Sequence, residues 1–237
     1  MTPPRVRDPE AVGAMFNTVA HRYDLVNHLM TCGLDFVWRH RAVELAGLVP
    51  RVSAIDCACG TGDLAFLLKR KVGPMGFVAG VDMSERMLAL AKQKGRHYGL
   101  EVRWQHADML KLPYDDSIFA AATIGFGIRN LPDPVAGIRE MARVVHPGGM
   151  VIVLEMAQAK AAWLRSLQHW YIGTVVTRLG GWLTGSTRAY RDFQETSRAF
   201  PGVKEFRNLM GQTGLFAAVD AYPQMGGMVA IYAGLVK

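Results

Sequence analysis

Cysteine is scarce. The 237 residues hold three, Cys32, Cys57 and Cys59, too few and too closely spaced for a disulfide framework, so a reducing compartment is expected. Long apolar runs are missing too. No uncharged stretch approaches the ~20 residues that a membrane helix needs, and the opening MTPPRVRDPE lacks the apolar segment of a secretory leader. Acidic side chains are outnumbered, 20 against 27 Lys and Arg, for a formal net charge of +7 and room for an anionic partner or surface. Cys57-x-Cys59 is closer than the usual zinc pairs, no second pair follows, and the seven histidines do not cluster at ligand spacing. No repeat or low-complexity tract is present. These absences exclude a disulfide scaffold, an integral membrane protein and a zinc module, and point to a cytoplasmic chain. What remains is globular: half the residues are hydrophobic and a fifth charged, enough to bury roughly 70–75% of the unfolded surface.

From about residue 51 short apolar runs alternate with amphipathic stretches. VSAIDCA (52–58), FVAGVD (77–82), EVRWQHAD (101–108), FAAATIGF (119–126) and MVIVLEM (150–156) read as strands. Helices are expected over Asp63–Lys71, Ser84–His97 with Ser84 as N-cap, and Asp133–Val145, the last stopped by HPGG. Such alternation implies right-handed crossovers and a parallel sheet with helices on both faces. LFAAVDAY (215–222) and GMVAIYAGLVK (227–237) follow with too little chain between them for a crossover, so they pair antiparallel. The expected fold is α/β: seven strands, five parallel, ending in an antiparallel hairpin, all in one domain. Residues 51–156 would form its nucleotide core, with 1–50 and 157–212 as helical cover over the open end of the sheet and 213–237 as the hairpin.

The first strand ends at Asp56 and runs into CACGTGDLA, in which Gly60, Gly62 and Ala65 fit G-x-G-x-x-G/A, the spacing that lets backbone approach a nucleotide closely. Asp82 ends the next strand, about twenty residues on, where an acid can accept from ribose hydroxyls. NAD and S-adenosylmethionine both satisfy this pair. Charge separates them, because Asp56, Asp63, Asp82, Asp108 and Glu155 all fall at strand ends or loop junctions, where ligands of such sheets bind. A pyrophosphate avoids facing carboxylates, whereas a sulfonium with an α-ammonium group favours them by several kcal/mol (roughly, at intermediate dielectric). S-Adenosylmethionine is the expected cofactor.

Six segments then take on a common likeness: MFNTVAHRYDLVNHLMTCGLDFVWR (15–39), DCACGTGDLA (56–65), GVDMSERML (80–88), LPYDDSIF (112–119), IGFGIRNLPDP (124–134) and HPGGMVIVLE (146–155). Together they resemble the ubiquinone/menaquinone-biosynthesis C-methyltransferases over nearly the whole chain. The resemblance implies a class I methyltransferase sheet and methyl transfer to a ring carbon of a prenylated quinol, with demethylmenaquinol as the expected acceptor. It places Thr61 in the glycine loop against the cofactor, Asp82 at the ribose, Asp108 and Met109 beside the adenine, and Met83 among the cofactor contacts. Gly125 stands where some relatives have a contacting serine. Departures fall on the acceptor side: LEMAQAK (154–160), RAYRDF (188–193), and Tyr232 where a histidine is common.

Carbon attack on a sulfonium needs an electron-rich ring, so the site must align the ring and take a phenolic proton. The resemblance puts Arg129 and Asn130 at the mouth of the site. Arginine stays protonated near neutrality, which makes Arg129 a phenolate stabiliser or a loop cap, and Asn130 an orienting group. His21, whose type titrates near pH ~6.5, is read as the base or as an ordinary helix histidine. Tyr23 and Tyr190 are read against the acceptor. Residues 156–200 carry six Lys and Arg against two Asp and Glu, beside Trp163, Leu167 and Trp170 at helical spacing; this is either a solvated face or a stripe that leans on an anionic bilayer. Four other readings stand beside the first. They are the same fold acting on a benzoquinol or another aromatic acceptor, an NAD-dependent oxidoreductase, a cofactor-binding protein without catalysis, and a nucleic-acid methyltransferase. The last is disfavoured because IGFGIRN replaces the N/D-P-P-Y of adenine enzymes, so no nucleic-acid partner is expected. Oligomeric state is left open.

Overall fold

Each central strand buries both of its faces, which is why its sequence reads as continuous apolar residues. In Ser53–Cys57 (β1), Ala54 packs with the helices of one side while Ile55 and Cys57 pack with those of the other. The computed structural model describes residues 8–237; most of the opening segment read as lacking a leader lies outside them. Phe77–Asp82 (β2), Arg103–His106 (β3), Phe119–Gly125 (β4), Val145–Met156 (β5), Phe216–Gln224 (β6) and Val229–Val236 (β7) complete one sheet of order β3-β2-β1-β4-β5-β7-β6. The first five run parallel; β7 is antiparallel to β5, and β6 to β7. Seven strands, five parallel and a terminal hairpin match the expected architecture.

Chain order reverses between β1 and β4, so the crevice at their carboxyl ends is the topological switch point where ligands of open α/β sheets bind. Asp63–Val72 (α4) and Leu34–Leu45 (α3) cover one face through Leu64, Leu68, Trp38 and Ala42. Pro134–Val144 (α6) and Val203–Gln212 (α10) cover the other through Ile138, Met141, Phe206 and Met210. Glu85–Tyr98 (α5) starts as expected, with Ser84 Oγ accepting the Met87 N–H at 3.2 Å.

HPGG acts differently from expectation. Helix α6 has already ended at Val144, and Val145 pairs with Phe119 before the register shifts to Ala121–Met150. Pro147 has no N–H to give a ladder and Gly148 takes φ +81°, so the four residues form a bulge at the start of β5 and do not cap the helix.

The helical cover consists of Pro9–Val19 (α1), Tyr23–Met30 (α2) and α3 from the N-terminal stretch. From the later stretch come Ala162–Trp170 (α7), a π-helical turn Tyr171–Val176, Thr177–Thr184 (α8) and Thr187–Ala199 (α9). Of these, α1, α2, the π-helical turn and α9 meet in a third cluster of Val19, Val26, Val176, Ala189 and Tyr190, with Leu183 of α8 packed against it, while α3 packs in the sheet core of its own face. Cys57 and Cys59 are buried free thiols, pushed well up by desolvation, and Cys32 is an exposed one. Among the described residues no group of three or more His, Cys, Asp or Glu could hold a metal ion, and no helix is long and apolar enough to cross a membrane.

Candidate active site

The glycine loop is shaped by backbone that only glycine adopts cheaply. Gly60 and Gly62 have φ +54° and +88°, and a Cβ on Gly62 would lie 2.5 Å from the Trp104 ring. Asp82 then fastens the loop, because its Oδ2 accepts the Gly60 N–H at 2.7 Å and its Oδ1 the Ser84 N–H at 2.8 Å. Burial pushes its carboxyl up, opposed by these backbone hydrogen bonds. Gly60, Asp82, Met83, Asp108, Met109 and Gly125 all line one cleft at the switch point. Among the described residues its polar wall holds two carboxylates and no Lys, Arg or His, which suits a cationic nucleoside and opposes a pyrophosphate. Helix α1 roofs the cleft: Gly13 sits so close that a Cβ there would be 2.8 Å from the Met83 carbonyl.

Three of the expected cofactor residues stand elsewhere. Asp56 is 1% exposed and does not line the cleft. Its Oδ1 accepts from Thr123 Oγ1 at 2.8 Å, its Oδ2 has no partner, and desolvation pushes its pKa up to about 7. Gly62 is absent from the lining because Trp104 occupies the space beside it. Thr61 gives its hydroxyl to Asp24 Oδ1 at 2.5 Å, and Lys94 Nζ reaches Asp24 at 2.9 Å, Thr61 at 3.3 Å and Asp63. Thr61 is therefore a clamp between α2, the loop and α5. Asp63 belongs to the same clamp, paired with Lys94.

The Asp56 carboxyl carries a pH signature. The folded state keeps its proton up to about pH 7, while the unfolded chain releases it near 3.8. Its contribution to stability therefore falls as pH rises from about 4 to about 7. Asp56→Asn, still an acceptor for Thr123, should remove that fall. Urea midpoints of variant and wild type should diverge in the variant's favour across this range, and parallel profiles would refute the assignment.

A second and larger cavity, about 440 Å³, lies beside the cleft under the helical cover. Phe16, Tyr23, Phe126 and Asn130 line both and form the partition between them. The large cavity is mostly apolar, with Tyr190, Phe193, Tyr171, Ile172 and Met156 among its walls. Two of the three segments that depart from the family pattern contribute here, through Met156 on one side and Ala189, Tyr190 and Phe193 on the other. The third, Tyr232, is fully buried in the sheet core against Phe206, its hydroxyl without partner.

Arg129 forms part of the cavity wall. Its Nη1 donates to Glu155 Oε1 and to the Phe126 carbonyl, both at 2.6 Å, and the guanidinium lies over the Phe193 ring at 5.0 Å. The Nε–H is buried with no partner. Glu155, fully buried, is thus the support of Arg129 and not part of an acidic rim; the sequence placed it at a strand end but carried no sign of a partner 26 residues away. Burial raises the Tyr23 phenol, and Tyr190 is pushed up to about 12, so both stay neutral near pH 7. His21 does not join the site: it is exposed on the short turn Ala20–Arg22 and lines neither cavity, because the turn faces its opposite side to the core.

Comparison with known proteins agrees with this geometry. The chain is similar in structure to a SAM-dependent methyltransferase of Thermotoga maritima described as a possible histamine N-methyltransferase (TM-score 0.66, 20% identity, 94% of this chain and 99% of that one). It is similar also to the [4+2]-cyclase SpnF (TM-score 0.63, 16% identity, 98% and 96%), likenesses that bear on fold alone. In sequence it is 38% identical over 230 residues to the ubiquinone/menaquinone biosynthesis C-methyltransferase UbiE of Bdellovibrio bacteriovorus, covering 97% of each chain. It is 39% identical over 220 residues to the demethylmenaquinone methyltransferase of Thermus thermophilus (93% and 99%). The model of the ubiE/COQ5 methyltransferase family matches residues 5–236. With the nucleoside cleft at its switch point and an apolar cavity across a shared partition, this chain belongs to the ubiE/COQ5 methyltransferase family.

Proposed function

We propose that the protein transfers a methyl group from S-adenosylmethionine to a ring carbon of a prenylated quinol, with demethylmenaquinol as the acceptor. The observation that carries this reading is the large apolar cavity sharing four residues with a carboxylate-lined cleft. A flat ring with a long hydrocarbon tail fits such a wall. S-Adenosylmethionine, when bound, supplies an electrophilic methyl on a sulfonium.

The chain's own residues supply the rest. Asp82 accepts from the ribose hydroxyls with the lone pairs that Gly60 and Ser84 leave free. Met83 and Met109 pack against the adenine, with Asp108 at its edge, and Gly125 leaves backbone open to the nucleoside. Asn130 and Tyr23, both on the partition, orient the acceptor ring. The free Nε–H of Arg129 meets a ring oxygen and stabilises it as phenolate, which raises electron density at the neighbouring carbon. Tyr190 packs on the ring. With the cofactor bound, the ring carbon would take the methyl as its bond to sulfur breaks and the thioether is released; the phenolic proton and then the proton on that carbon would pass to water, and the ring oxygen would regain a proton to restore the quinol. A tailed quinol resides in a bilayer, so the reading includes peripheral contact with an anionic membrane surface.

Mass spectrometry after incubation with S-adenosylmethionine and reduced short-tail demethylmenaquinols tests this. A product heavier by one CH2 unit is expected. Methylation of benzoquinols alone would move the acceptor, and no product with any quinol, despite cofactor binding, would overturn the reading.

A further inference from the structure

Three large apolar residues both line the large cavity and stand open to solvent, Leu34, Leu167 and Met225, at 38%, 49% and 47% exposure, with the exposed Cys32 beside Leu34. They mark its mouth, at the start of α3, the middle of α7 and the turn between β6 and β7. Around this mouth the surface is unusually apolar. Trp163 and Trp170 flank Leu167 on α7 at i−4 and i+3, one face of the helix, and are 71% and 58% exposed. Trp182 on α8 is 79% exposed. Leu25 and Leu29 on α2 add a further exposed pair, and α2 is joined to this region by Tyr171 Oη donating to the Met30 carbonyl and Arg22 to the Leu183 carbonyl.

The charge on the same segment has one sign. Between Glu155 and Asp192 the sequence contains no acidic residue, while Lys160, Arg165, Arg178, Arg188 and Arg191 are all present and exposed. Tryptophans with an apolar body and a polar N–H favour the headgroup boundary, and flanking cations favour anionic lipid. A solvated face would not expose three tryptophans on two successive helices.

We propose that the α7–α8 face is a docking surface for an anionic phospholipid bilayer, which sets the Leu34–Leu167–Met225 mouth against the membrane so that the prenyl tail passes into the cavity directly from the lipid. This rests on the quinol reading above and adds the route by which the acceptor arrives. Docking is peripheral, by three side chains and a basic rim, and weakens with salt as the charge attraction is screened.

Vesicle co-sedimentation tests it, with phosphatidylcholine alone and phosphatidylcholine mixed with phosphatidylglycerol. Wild type should bind the anionic vesicles and release at high salt. W163S/W170S/W182S should bind them at least about tenfold more weakly, since the buried apolar contribution is removed. R165E/R178E, which leaves the tryptophans in place, should lose the preference for phosphatidylglycerol by about tenfold or more. Turnover of a short-tail acceptor supplied in solution should stay at the wild-type rate in both variants, while turnover of a long-tail acceptor embedded in vesicles falls. Wild type that ignores anionic vesicles, or variants that bind like wild type, would overturn the proposal. So would a wild-type dimer in size exclusion that the tryptophan variant converts to monomer, because the face would then join two copies. Short-tail turnover by wild type separates failure of this surface from failure of the quinol reading.

Discussion

Arg129→Met should lower kcat by about 10²–10³-fold, the loss expected for one well-placed donor to a developing oxyanion, with cofactor affinity nearly unchanged. The same substitution strands Glu155, whose side chain is fully buried and paired at 2.6 Å. An uncompensated buried charge costs about 3–5 kcal/mol, so the single variant is also expected to be much less stable. The two effects are separable. In Arg129→Met/Glu155→Gln the glutamine is uncharged and can still accept the Met156 N–H that Glu155 accepts at 2.8 Å. Chemical denaturation should therefore show most of the lost stability returning while kcat remains low. Recovery of turnover in the double variant would demote Arg129 to a partner of Glu155, and equal losses of turnover and cofactor affinity would move it to the nucleoside side.

For Asp82→Ala, cofactor affinity should fall by about 10–100-fold, as a hydrogen bond to a charged group is worth roughly 1.5–3 kcal/mol. The alanine also leaves the Gly60 and Ser84 N–H groups without their acceptor, so the loop that approaches the nucleoside loosens with it. Asp82→Asn keeps one oxygen and should lose less. Since the ribose takes no part in methyl transfer, kcat at saturating cofactor should stay near wild type. Calorimetric titration measures the first quantity and steady-state kinetics the second. Unchanged affinity in a folded Asp82→Ala protein would remove Asp82 from the cofactor site.

Local signals in the sequence were sufficient for everything governed by neighbours along the chain. Strand and helix alternation from residue 51, the glycine turn, Ser84 as a cap and the C-terminal hairpin all depend on hydrophobic period and turn chemistry, which short windows contain. The place of Asp82 on the cleft wall belongs to this class, because a strand end in a parallel sheet already lies at that edge. HPGG shows the limit: proline and glycine mark a break, but whether they end a helix or kink a strand depends on which element had stopped first.

Tertiary structure decided the rest. Asp56 also ends a strand, but β1 is central, and the helices on both faces of it leave the carboxyl buried with Thr123 and away from the cleft. Thr61 was read as a cofactor contact, and only the approach of α2 and α5 turns its hydroxyl to Asp24 and Lys94. His21 and Tyr23 are two residues apart, one exposed and one on the partition, because a helical turn sends them to opposite sides. The large cavity could not be read from the sequence as a cavity, although segments 15–39 and 124–134 supply many of its walls. It exists where α1, α2, α3, α7 and α9 meet over the ends of β4 and β5, and periodicity shows that each helix has an apolar face without showing which faces converge.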